Sequence, residues 1–128
     1  MNTRRARIIV LSLLATFIIV RAMLHMSPNS DLDILGYNIH HLFTGLLLVV
    51  GGGIPLALFP RDSRATDAAS AIFGGGLALT LDEWVYLIVT DGTNASYLLP
   101  VSVKGGITMV VLAVAYIGIL YMMSGKRS

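Results

Sequence analysis

Two adjacent pairs of ionisable residues hold the chemistry of this chain. His40-His41 opens one long apolar stretch, and Asp82-Glu83 interrupts another, in the run Leu79-Thr80-Leu81-Asp82-Glu83-Trp84-Val85-Tyr86. Imidazole and carboxylate side chains together suit a divalent cation such as Zn, Fe or Mn, and the same groups exchange protons or pair with other charges. A charged side chain inside hydrocarbon costs on the order of a few kcal/mol on insertion scales and is rarely kept without a partner. His40, His41, Asp82 and Glu83 are therefore the candidate metal ligands, and each is a functional candidate wherever its segment crosses a membrane.

The elements that must position them are four apolar stretches, at roughly 8–26, 39–59, 68–90 and 101–123. Each is close to the ~20 residues that a helix needs to span a bilayer core. The chain has 128 residues, 55% of them hydrophobic and 12% charged, with a mean hydropathy of +0.79, a composition that belongs to integral membrane proteins. Backbone polar groups in lipid must be paired within a segment or in a closed barrel, so runs this long and apolar are expected to be helices. Breaker-rich segments separate them: Ser27-Pro28-Asn29-Ser30-Asp31, Pro60-Arg61-Asp62-Ser63-Arg64 and Asp91-Gly92-Thr93-Asn94-Ala95-Ser96. The expectation is an all-α fold, an antiparallel four-helix transmembrane bundle forming one domain over 1–128. The absence of cysteine excludes disulfides, thiolate metal sites, cysteine nucleophiles and iron–sulfur clusters.

Arg4, Arg5 and Arg7 precede the first span, Arg61 and Arg64 lie between the second and third, and Lys126 and Arg127 follow the fourth. With four crossings all three groups share one side, which the positive-inside rule assigns to the cytoplasm. Both termini are expected there, in a multi-pass protein of the plasma (inner) membrane. The loops on the other side carry Asp31, Asp33 and Asp91 and neither Lys nor Arg. The net charge of +2 thus reads as topology rather than as nucleic-acid binding. The first span also has signal-peptide character, but no small-residue cleavage site follows it, so it reads as an uncleaved helix.

Gly51-Gly52-Gly53 and Gly74-Gly75-Gly76 lie at similar distances from the cytoplasmic ends of spans two and three. Small residues at one depth let helices approach closely in lipid, so the triplets are expected to face each other. They lack the strand and lysine of a phosphate-binding loop. Pro55 is expected to kink the last turn of span two. Measured from this glycine layer, His41 would stand roughly 15 Å up and Asp82 and Glu83 roughly 10 Å up, a mismatch of about one turn. Adjacent helical residues point about 100° apart, so at most one member of each pair is expected to face a given partner, and the spacing leaves open which histidine does.

Other polar residues gather at the same level: Arg21 and His25 in span one, Tyr86 in span three, Tyr97 in the last loop, and Ser102 and Lys104 at the start of span four. A bundle hides such groups by turning them toward each other or toward water, and the expectation is a polar pocket open to the outer face. The plainer expectation for His25 is a hydrated or backbone-bonded ring, while Trp84 and Tyr86 read as an interfacial belt or, at the depth of Asp82, as lining of the pocket.

Three chemistries compete for the cluster. One is a divalent-metal site; a second is an ion-pair network in which Arg21 or Lys104 neutralises Asp82 and Glu83; a third is a relay for protons or a small polar ligand.

His40-His41-Leu42-Phe43-Thr44-Gly45, Gly74-Gly75-Gly76-Leu77-Ala78-Leu79-Thr80-Leu81-Asp82-Glu83, and Tyr97 followed by Ser102 carry a further signal. The chain resembles an uncharacterised group of small prokaryotic four-span integral membrane proteins with HHxxxG and GxGxxLxxDE motifs. The resemblance implies a prokaryotic membrane protein with a shared site at His41, Asp82 and Glu83. The expected function is that of a small membrane protein with a polar metal- or ion-binding site in the outer half of the bundle. An accessory subunit whose cluster only pairs helices is the alternative, and a membrane-embedded metal-dependent hydrolase the third. The expected partners are the lipid bilayer and further copies of the chain or a larger membrane complex, with no nucleic acid.

Overall fold

The apolar stretches fold as helices, which pair each backbone polar group within its own segment. A computed structural model describes residues 1–28 and 32–125, leaving Asp31, Lys126 and Arg127 of the topology argument outside the described residues. The chain runs α1 (Thr3–Met26), β1 (Leu32–Ile34), β2 (Tyr37–Ile39), α2 (His41–Leu58), α3 (Arg64–Val89), α4 (Asn94–Tyr97) and α5 (Pro100–Gly125). The four long helices, α1, α2, α3 and α5, are each long and apolar enough to cross a membrane.

Local chemistry sets the helix starts. The Asn2 side chain accepts from the Arg5 N–H at 3.0 Å and starts α1. Ser63 and Thr66 form a reciprocal capping box that starts α3 at Arg64, about one turn earlier than the hydropathy predicts. The stretch before α2 is a short antiparallel hairpin, with Leu32 opposite Ile39 and Ile34 opposite Tyr37. Ile39, expected to begin the second span, is instead the last residue of β2. The hairpin turns on Leu35 and Gly36, both at positive φ (52° and 81°), as a tight two-residue turn requires.

Helix α3 is the axis of the bundle. It packs along α1, α2 and α5, whereas α1 and α5 touch each other only lightly. Its buried residues are mostly small or polar, among them Ser70, Gly74, Gly76, Ala78, Thr80, Asp82 and Glu83. Large apolar residues such as Ile18, Leu47, Ile88 and Leu112 face outward. Outward apolar and inward small or polar residues are the arrangement that a lipid solvent favours.

The two glycine triplets do not oppose each other. A Cβ on Gly52 would lie 2.5 Å from the Ala69 carbonyl oxygen and 2.6 Å from the Phe73 nitrogen. One on Gly76 would lie 2.7 Å from the Gly45 oxygen, and one on Gly45 would lie 2.5 Å from Thr80 Oγ1. The α2–α3 contact thus pairs Gly45 with Gly76 and Thr80, and Gly52 with Ala69 and Phe73. Gly74 instead faces the backbone of Ile9 on α1, Gly75 and Gly53 have only side-chain neighbours, and Gly51 has nothing nearby. The displacement follows from the capping box, because the extra turn at the start of α3 slides it along α2. That slide removes the expected one-turn mismatch and brings residue 41 level with residue 82.

The end bearing the α2–α3 loop is stitched by arginines. Arg4 makes a two-pronged ion pair with Asp67 (3.0 and 2.5 Å). Arg5 binds Asp62 at 3.0 Å and donates to the carbonyls of Leu56, Phe59 and Arg61 at 2.8–3.2 Å. A hydrogen bond from Asn2, and then one from Arg5, hold Asp62 below the usual carboxylate range.

Gly45→Leu drives a side chain into α3 backbone and is expected to cost at least the ~1–3 kcal/mol typical of overpacking. Gly51→Leu meets open space and should leave stability unchanged. Unfolding of both variants in mild detergent, followed by circular dichroism, checks the contrast.

Candidate functional site

The N-terminus of α2 leaves backbone N–H groups unpaired, and it lacks a side-chain cap of its own. Glu83, from α3, supplies one. Its Oε2 accepts the Leu42 N–H at 2.8 Å, which places a carboxylate against the positive end of the α2 dipole. Its Oε1 lies 3.4 Å from the Nδ1 atoms of both His40 and His41.

Asp82, one residue earlier, serves the opposite side of α3. Its Oδ1 accepts from Arg21 Nε at 2.5 Å. Its Oδ2 accepts from the Tyr97 hydroxyl and lies 2.8 Å from His41 Nε2. Arg21 spends its remaining donors on the carbonyls of Tyr97 (3.2 Å), Asp82 (3.3 Å) and Ser102 (3.0 Å), and on Ser102 Oγ (3.1 Å). One guanidinium thus ties α1 to α3, α4 and α5. Gly106 makes room for this approach, since a Cβ there would sit 3.1 Å from both Arg21 Nη2 and Asp82 Oδ1.

Aromatic rings close the cluster. Tyr97 lies under the Arg21 guanidinium, 4.1 Å from ring centre to Cζ, a cation–π contact. Its edge meets His41 at 5.7 Å and Tyr86 at 5.3 Å, and Tyr86 meets His40 at 6.1 Å. The Tyr86 hydroxyl donates to the Thr93 carbonyl at 2.8 Å, anchoring the α3–α4 loop. Burial, and then the Asp82 charge, push the Tyr97 hydroxyl far above its ordinary titration range, so it remains a donor. In the same loop Asp91 is held below the usual carboxylate range by Ser96 and by the Thr93 N–H.

The cluster is graded in exposure. The Asp82 and Glu83 side chains are 1% and 4% exposed, while His40 and His41 are 23% and 21% exposed. Both histidines therefore stand between buried carboxylates and the surface. The cleft that reaches His41 is small, about 190 Å³, and lined by Val20, Met23, Leu24 and Leu79. It is apolar, in contrast to the polar pocket expected.

Arg21, His40, His41, Asp82, Glu83, Tyr86, Tyr97 and Ser102 come together as one cluster. Lys104 does not: it is exposed and makes no ion pair among the described residues. On α5, Ser102, Gly105 and Gly106 face the bundle, which turns Lys104 outward. His25 also stands apart, its Nδ1–H donating to the Arg21 carbonyl one turn back at 2.9 Å. The rule that adjacent residues cannot share a partner fails for both pairs. His40 is the residue before the helix, with φ −58° and ψ 142°, so the helical 100° step does not separate it from His41. Asp82 and Glu83 do diverge, toward α1 and α2, yet His41 is long enough to touch both.

Gly106 and the Leu42 N–H are the participants that sequence reasoning missed. The spacing of Ser102 and Gly106, four apart on one helical face, is the signal that points to the first. Among the described residues, no three His, Asp or Glu side chains converge in a geometry that could hold a metal ion. Both oxygens of Asp82 and one of Glu83 are already committed to protein donors. Comparison of the chain with protein-family models, curated proteins and solved structures finds no match.

Removing either member of the buried Arg21–Asp82 pair should cost about 3–5 kcal/mol, because the other charge is left stranded. In a double-mutant cycle, Arg21→Met with Asp82→Asn should show coupling of about 1–3 kcal/mol. Lys104→Met with Asp82→Asn should show none. Unfolding free energies in mixed micelles measure both.

Proposed function

We propose that this small multi-pass membrane protein binds a cation, a proton in its resting state, at the His40, His41, Asp82 and Glu83 cluster. One observation carries the reading: the cluster holds two buried carboxylates against a single permanent cation, Arg21. An unbalanced charge at this depth is costly, which favours a further proton in the cluster. His41 is the group suited to carry it. Its Nε2 faces Asp82 at 2.8 Å and its Nδ1 faces Glu83 at 3.4 Å. A neutral imidazole would leave Glu83 without a compensating charge, whereas an imidazolium donates to Asp82 from Nε2 and places its charge within ion-pair distance of Glu83. The partly exposed His40 ring, 3.4 Å from the same Glu83 oxygen, gives that proton a route to the surface.

The distribution of Lys and Arg supports a cytoplasmic location for both termini, which puts the cluster in the outer half of a plasma-membrane protein. The HHxxxG and GxGxxLxxDE motifs support a prokaryotic source. With four spans, assembly as a homo-oligomer or within a larger complex fits a transport or relay role for this site.

A second reading has its own observation. Every buried side-chain nitrogen and oxygen among the described residues has a partner, as a network that only pairs helices would require.

Nitrogen-15 NMR of histidine-labelled protein at neutral pH, with elemental analysis of the same sample, separates the readings. The proposal expects two N–H groups on His41 in the wild type and one in Glu83→Gln, where the excess charge is gone. A single N–H in the wild type overturns it. Stoichiometric bound metal would then support a metal centre, and its absence the helix-pairing network.

A further inference from the structure

The α2–α3 hairpin leaves a cleft of about 880 Å³ at the end of the bundle opposite the histidines. Gly51, Pro55, Phe59, Ala69 and Ile72 form its apolar walls. Its volume lies in the roughly 300–1,000 Å³ range of small-molecule sites. The cleft runs from the level of the loop to Gly51, seven residues before the end of α2, or about 10 Å into the apolar span. Nothing lies within 4 Å of where a Cβ on Gly51 would be, so a large side chain at 51 would occupy the cleft.

The charge at its mouth is unbalanced. Arg61 lines the cleft and is exposed. The two acidic residues nearby are engaged elsewhere, Asp62 by Asn2 and Arg5 and Asp67 by Arg4. Arg61 makes no ion pair among the described residues. An apolar groove inside the hydrocarbon, with a free guanidinium where it meets the headgroup layer, matches one amphiphile: an acyl chain bearing a phosphate and a net negative charge. We propose that this cleft binds an anionic phospholipid, with one chain between α2 and α3 and the phosphate at Arg61. The inference is independent of the proton site and does not depend on which side of the membrane the cleft faces.

Native mass spectrometry of the full chain in detergent tests it, with phosphatidylglycerol and phosphatidylcholine of identical chains as probes. The wild type should retain phosphatidylglycerol about fivefold better, the effect of one arginine on an anionic lipid. Arg61→Gln should remove that preference and leave phosphatidylcholine binding unchanged. Gly51→Leu, which fills the cleft, should weaken both lipids, while Lys104→Gln, at the other end of the bundle, should change neither. Equal binding of the two lipids by the wild type overturns the proposal. So does a folded Gly51→Leu protein that binds like the wild type, or a Lys104→Gln protein that loses the preference as Arg61→Gln does.

Discussion

A carboxylate inside a bilayer must find its donors within the protein, and Asp82 with Glu83 imposes that demand at one height of one helix. The two residues diverge around α3, so their donors arrive from different directions. Arg21 comes from α1, the Leu42 N–H and His41 from α2, and Tyr97 from α4, while Ser102 of α5 holds the far side of Arg21. Each helix around α3 therefore has a polar reason to be there. Lipid provides no hydrophobic drive between helices, so these bonds and close packing must choose the neighbours.

Close packing fixes the distances, and the polar bonds fix the heights. Gly45 and Gly76 let the α2 and α3 backbones nearly touch, which holds the start of α2 within reach of Glu83. Gly106 does the same for α5 against the Arg21–Asp82 pair. A larger residue at either place would lengthen bonds whose worth depends on short separation in a medium of low dielectric. Packing and charge are thus coupled here.

Hydropathy and charge made the four helices and most members of the cluster legible, because a bilayer permits few alternatives. What was illegible depended on single residues outside the apolar runs. Ser63 and Thr66 extend α3 by a turn into a segment rich in breakers, and that turn decides which glycines meet. The hairpin was missed because Leu35 occupies a positive-φ position where Gly or Asn is the usual signal. His40 was misjudged because the 100° rule holds only inside a helix, and α2 begins one residue later. Lys104 was a matter of arithmetic: the small residues of α5 at 102, 105 and 106 already define the inward face, and 104 lies on the other side.

The two carboxylates are not equivalent in what they require of the protein. Asp82 with Arg21 is a balanced pair, and a pair is enough to fix helix register. Glu83 caps α2, but a glutamine at 83 would accept the Leu42 N–H through its amide oxygen without adding a charge. The charge adds attraction to the positive end of the α2 dipole on top of that hydrogen bond. It also stands beside two partly exposed histidines, which lie between it and the surface.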